Sequence, residues 1–202
     1  ENDTLKVLNT EDYSIKVFYS ILDLHILKIE SVNSNVLALC TLNRDQTTSV
    51  ILLDFSNKTK LKRKILKFNK TIVNIVAAND FILAIKTKDS IVIWDIVKTT
   101  PIVDLQYLNS IKGSLEFSTT ENMIKINNNI IANIENNYVI AYNIKNGTVV
   151  ASIEEEYDIL EIYRMSDDFI ISKIYKELKI MSISYGRIMK TIAIYEDIIE
   201  NL

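Results

Sequence analysis

The chain is 202 residues long, 48% hydrophobic and 24% charged, with a formal net charge of −3; these values exclude a disordered protein and leave room for one domain or two. A pI near 5.3 argues against wholesale nucleic-acid binding, which rests on a basic surface. One cysteine, Cys40, cannot close an internal disulfide, and one histidine, His25, excludes the common zinc sites with their clustered ligands.

Isoleucine occurs 35 times and asparagine 20 times, against 3 glycines and 1 proline. β-Branched side chains favour strands, and so few glycines leave the turns to Asn and Asp. The same bias, with Lys far ahead of Arg, reads as an AT-rich, eukaryotic coding sequence. Leu5-Lys6-Val7-Leu8-Asn9 opens the chain as part of a two-stranded hairpin over residues 1–20. The span 24–69 predicts strands at 25–32, 36–42, 49–55 and 61–68. The span 72–108 predicts them at 72–77, 81–86, 90–96 and 102–108, with Pro101 where a missing donor is cheap. The spans 121–153 and 159–195 each divide into four strands in the same way. The turns between strands fall at Asn79-Asp80, Asn136-Asn137, Asp167-Asp168 and Asn146-Gly147, the last being the strongest short hairpin signal. Residues 195–202 could begin another inner strand or a helix.

In each span the third strand is a nearly continuous apolar run that ends on a small polar residue. Those polar residues are Asn9, Asp54, Asp95, Asn143 and Ser182, separated by 45, 41, 48 and 39. Apolar runs without alternation belong to strands buried on both faces, and a repeat of ~40–45 residues with four strands is the signature of a propeller blade. The fourth strands are more polar and alternate, as solvent-facing outer strands should. The predicted fold is all-β: four antiparallel four-stranded blades after a leading hairpin, part of a larger ring. An ordinary β-sandwich is the alternative.

Ile93-Trp94-Asp95-Ile96, preceded by Asp89, resembles the end of the third strand in the WD40-repeat family. The resemblance spans nearly the whole chain as period and strand pattern, but only this blade carries the Trp-Asp pair. It implies a ring of seven blades, completed by further chain or a partner, and a role as a protein-binding scaffold in a multisubunit intracellular complex, cytoplasmic or nuclear, with no cofactor. That family's His–Ser–Trp–Asp network cannot recur here with His25 as the sole histidine.

Meander connectivity puts the longer loops 43–48, 109–120 and 154–158 on one rim, the partner-binding rim in the WD40 family. The expected partner face is therefore Arg44, Asp45, Gln46, Lys112, Glu116, Glu154, Glu155 and Glu156, although the Glu154–Glu156 run also reads as a solvated loop. A second candidate is the cationic run Lys58, Lys60, Lys62, Arg63, Lys64, Lys67 and Lys70 on an outer strand. It could hold phosphoinositide headgroups or nucleic-acid phosphate, or serve as a solvated edge that resists pairing with another chain. Arg63-Lys64-Ile65 lacks the second Arg and the Gly of phosphoinositide-binding propellers. His25 and Cys40 on adjacent strands, and Glu30, Glu121 and Glu161 in or beside inner strands, read as packing or surface residues, not as a catalytic set.

Overall fold

The computed structural model describes residues 4–8, 15–20, 24–57, 61–68, 70–106 and 122–194. Every regular element among them is a strand. β1 (Thr4–Leu8) and β2 (Ile15–Ser20) form an antiparallel hairpin. Blade 1 is β3 (Leu24–Asn33), β4 (Val36–Asn43), β5 (Thr48–Asp54) and β6 (Lys62–Lys67). Blade 2 is β7 (Ile72–Asn79), β8 (Ile82–Thr87), β9 (Ser90–Asp95) and β10 (Thr100–Gln106). Blade 3 follows as β11 (Met123–Asn127), β12 (Ile130–Glu135), β13 (Tyr138–Asn143) and β14 (Val149–Glu154). Blade 4 is β15 (Glu161–Arg164), β16 (Phe169–Ile174), β17 (Glu177–Ser182) and β18 (Arg187–Ala193).

Each blade is an antiparallel meander in chain order. The first strands lie side by side, β3 next to β7, β7 next to β11 and β11 next to β15. Four sheets radiating from adjacent inner strands make an arc of a β-propeller. The cores lie between the blades. Leu52, Leu66, Ile75 and Leu83 fill the first junction, Ile93, Met123, Ile131 and Tyr142 the second, and Ile134, Ile153, Ile170 and Met181 the third. Hence β5, β9 and β13 are buried on both faces and read as unbroken apolar runs. β17 is only half-buried over Glu177–Ile180, because among the described residues no sheet covers its second face.

The repeated polar residues have one physical job. Asp54 accepts the backbone N–H of Ser56 at 2.8 Å, Asp95 those of Val97 and Lys98 at 2.9 Å, and Asn143 that of Lys145 at 2.9 Å. Ser182 takes the N–H of Tyr185 at 3.2 Å. Each caps the turn from third to fourth strand, which is why a short acceptor recurs there. Four residues past the cap the chain turns left-handed, at Thr99 (φ 58°), Gly147 (φ 73°) and Gly186 (φ 59°).

A second repeat stitches blade to blade. Asn33, Asn79 and Asn127 end the inner strands of blades 1 to 3. Each accepts the N–H two residues on, at 2.9 to 3.0 Å, closing its own turn. The amide of each then donates to a turn carbonyl of the next blade: Asn33 to Asp80 at 2.8 Å, Asn79 to Asn128 at 3.2 Å, Asn127 to Asp167 at 3.0 Å. In blade 4 Ser166 takes the Asn position and accepts from its own turn, from the N–H groups of Asp168 and Phe169.

Candidate functional site

Short turns and strand ends from two blades build an open groove of about 770 Å³ between blades 1 and 2. It lies on the rim formed by the first-to-second and third-to-fourth strand turns, opposite the longer loops. Val36, Leu52 and Ile96 make it apolar; Leu52 and Ile96 belong to the core that joins the two blades, and Val36 packs against it. On the blade 2 side stand Phe81 and Val97, 60% and 69% exposed, well above what a packed apolar residue shows.

The blade 1 wall is β6. Its register with β5 sets Lys62 opposite Asp54, Lys64 opposite Leu52 and Leu66 opposite Val50. Directly opposed residues share a face, and Leu52, Val50 and Leu66 all sit in the core shared with blade 2. Lys62 and Lys64 therefore project on the blade 2 side, while Arg63 and Ile65 oppose Leu53 and Ile51 of the other face. Asp54 and Asp80 are the carboxylates of the lining. Bonds from Ser56 hold the Asp54 carboxyl below its ordinary range, with Lys62 adding to the effect, so Asp54 stays ionised in its capping role.

Of the expected anion-binding residues, Lys62, Arg63 and Lys64 line this groove, Lys67 is exposed on the same strand, and Lys60 lies outside the described residues. Lys58 lies outside them too, and Lys70 pairs with Asp89 at 3.2 Å. On the opposite rim Arg44, Asp45 and Gln46 are exposed in the β4–β5 turn. The Thr47 hydroxyl and N–H donate to Asp45 at 2.6 and 3.0 Å, holding its carboxyl low. Lys112 and Glu116 lie outside the described residues, as does Glu121. Glu154 and Glu156 are exposed, but Glu155 is not the solvated residue that an acidic run suggests. Its side chain is 1% exposed and takes Lys179 Nζ at 2.5 Å across the junction of blades 3 and 4. The pairing partner is 24 residues away in sequence, so nothing local signals the burial.

The remaining chemistry-bearing residues serve the junctions. Glu30 accepts the Ala77 N–H at 3.0 Å from blade 2. Cys40 is buried opposite Lys28, and His25 pairs with Leu42. Trp94 packs edge-on against Phe68 at 5.3 Å, and its buried indole N–H has no acceptor among the described residues. Between blades 2 and 3 the buried Lys86 donates to Asn133 at 2.8 Å, Asn133 donates to Glu135 at 3.3 Å, and the Tyr142 hydroxyl donates to Glu135 at 2.6 Å. Burial pushes the Lys86 amine down to about 8, against the raising pull of Glu135, and burial likewise raises the Glu135 carboxyl.

No family model matches the chain, and no curated protein matches it in sequence. Its shape has neighbours. The chain superimposes on NirN, described as a dihydro-heme d1 dehydrogenase in complex with DHE, with a TM-score of 0.71 at 10% identity over 96% of this chain and 44% of that one. The hydrazine synthase of Kuenenia stuttgartiensis gives 0.60 at 13% identity, over 85% of this chain and 49% of that one. The chain thus spans less than half the length of either neighbour. At these identities the likeness shows the propeller fold alone.

Proposed function

We propose that the chain is a non-catalytic binding propeller, a WD40-like scaffold that presents a rim to other protein subunits of an intracellular complex. The observation that carries this reading is the groove between blades 1 and 2. It combines an apolar floor, exposed Phe81 and Val97, and a cationic wall, which suits holding a macromolecular surface. A rigid scaffold of strands with binding residues on turns suits the same role. The matching test is copurification of the tagged chain from its native cell, followed by mass determination of the intact assembly. A stoichiometric protein partner that survives 0.5 M salt is the expected result; a chain recovered alone under gentle conditions overturns it.

A second reading has its own observation. Lys62, Arg63 and Lys64 line one groove wall and could dock the propeller on anionic phosphate, in a membrane or in nucleic acid. Salt-dependent pelleting with anionic liposomes or RNA, lost on reversing these three residues to Glu, is what this reading expects.

A further inference from the structure

We infer that the groove between blades 1 and 2 is a peptide site that takes an extended segment of a partner protein carrying a bulky apolar side chain next to acidic residues. The inference rests on the scaffold reading and names the chemistry of what this rim would hold.

The apolar requirement comes from the floor. Leu52, Val36 and Ile96 top the inter-blade core without closing the space above it, and about 770 Å³ accommodates one or two large side chains with their backbone. Phe81 and Val97 stand beside that space, exposed although larger apolar contact lies within the same groove. An apolar anchor entering between them removes both from water. The charge requirement comes from the wall. Lys62 and Lys64 are the lining cations that the register turns toward blade 2, Arg63 lying opposite Leu53 of the other face, and Asp54 and Asp80 are the carboxylates of the lining. One of those carboxylates, Asp54, is engaged by the Ser56 N–H. Lys62 and Lys64 alternate along β6 on the blade 2 side, roughly 7 Å apart for an i, i+2 pair on an extended strand. That spacing matches carboxylates at alternate positions of an extended peptide laid alongside. Burying the groove's own lysines against a neutral peptide would cost desolvation without return, so an acidic segment is the complementary one.

The experiment selects dodecapeptides from a random phage library on the immobilised full chain and measures the winners by fluorescence polarisation. Enriched sequences should place Phe, Leu, Ile, Trp or Met within two residues of Asp or Glu. Their affinity should fall about tenfold or more in the Lys62→Glu/Lys64→Glu variant and severalfold in Phe81→Ala, with far-UV circular dichroism unchanged. The milder Lys62→Gln/Lys64→Gln variant covers the case in which charge reversal disturbs β6. Selected peptides without acidic residues, or peptides indifferent to both lysine variants and to Phe81→Ala, overturn the assignment. So does binding of phosphatidylserine vesicles that competes with no peptide and accounts for all the lysine dependence. A failed selection beside an intact stoichiometric complex from cells sinks the peptide site alone and leaves the scaffold reading in place.

Discussion

Gly147 and Gly186 allow the junction between blades 2 and 3 to be weighed. Both occupy the left-handed position four residues after a turn cap, at φ 73° and 59°. They differ in their surroundings. A Cβ on Gly147 would fall 2.5 Å from Leu105 Cδ2 and 2.7 Å from Val103 Cγ1, both on the outer strand of blade 2, whereas a Cβ on Gly186 meets nothing within 4 Å. Gly186→Ala should therefore cost only the left-handed penalty, about 1–2 kcal/mol for a residue with a Cβ. Gly147→Ala carries the same penalty plus overpacking. Carbon atoms normally rest about 3.5–4.0 Å apart, so two neighbours must retreat by roughly 1 Å. Leu105 can swing, but Val103 is stiff at χ1, and overpacking of this kind typically costs about 1–3 kcal/mol. The total for Gly147→Ala is then about 2–5 kcal/mol, leaving a difference of about 1–3 kcal/mol between the two glycines. Urea unfolding with a shared slope reads both numbers. In a Leu105→Ala background the Gly147→Ala penalty should shrink, a coupling of about 1 kcal/mol in a double-mutant cycle. Equal penalties at the two glycines, or no coupling to Leu105, would refute the packing of that turn against blade 2.

Thr99 is the non-glycine at the same turn position, at φ 58°; Thr99→Gly should stabilise by about 0.5–1 kcal/mol in the same assay, relief of the left-handed strain outweighing the added freedom of the unfolded chain. Asn79→Ala loses both its turn cap and its donation to blade 3, whereas Asn79→Asp keeps the cap, so Ala should lower the unfolding free energy by about 1–2 kcal/mol and Asp by less. Lys179→Met strands the buried Glu155 carboxylate and should cost about 3 kcal/mol, while Glu155→Leu/Lys179→Met should recover most of that loss. The Lys86 amine sits at about 8 in the fold against 10.5 unfolded. Between those values the unfolded chain holds the extra proton, so stability should rise with pH, by at most about 3 kcal/mol at 1.36 kcal/mol per unit. Glu135 works in the opposite sense in the acid range, where its raised pKa makes stability fall as pH rises, so the alkaline window separates Lys86 from Glu135. Comparing wild type with Lys86→Met from pH 7.5 to 10 checks this, and parallel stability curves would contradict it.

What could be read from residues alone was whatever each blade must do for itself. The caps Asp54, Asp95, Asn143 and Ser182 recur because each third strand ends in the same turn, and local turn chemistry is written locally. The double-sided burial of β5, β9 and β13 shows in their unbroken apolar runs. The groove was not legible, because it exists only where β6 of one blade faces the β7–β8 and β9–β10 turns of the next. Loop length pointed to the opposite rim. The cationic run on β6 did mark three of the lining residues, but not which of them face blade 2; only the register with β5 decides that. Glu155 misread for the same reason, since Lys179 reaches it from the neighbouring blade.

The stitching explains how such a propeller holds together when its sequence offers so little of a repeat motif. Each inter-blade amide of Asn33, Asn79 and Asn127 ends on a main-chain carbonyl, which any residue supplies. One side chain per blade therefore suffices, and the receiving turn can drift freely, as Asp80, Asn128 and Asp167 already do. A network of four side chains per blade would require four positions to be kept together; here the sole histidine makes that impossible, and the indole N–H of Trp94 is left without an acceptor among the described residues. The polar pairs then differ from junction to junction: Lys28 with the buried Asn74 at 2.5 Å, Lys86 with Asn133, and Lys179 with the buried Glu155. A polar group buried at one junction and satisfied only there penalises sliding or reordering of the blades, because a wrong neighbour leaves it unpaired. The common amide stitch supplies cohesion, and the unlike polar pairs supply the order in which these interchangeable-looking sheets must stack.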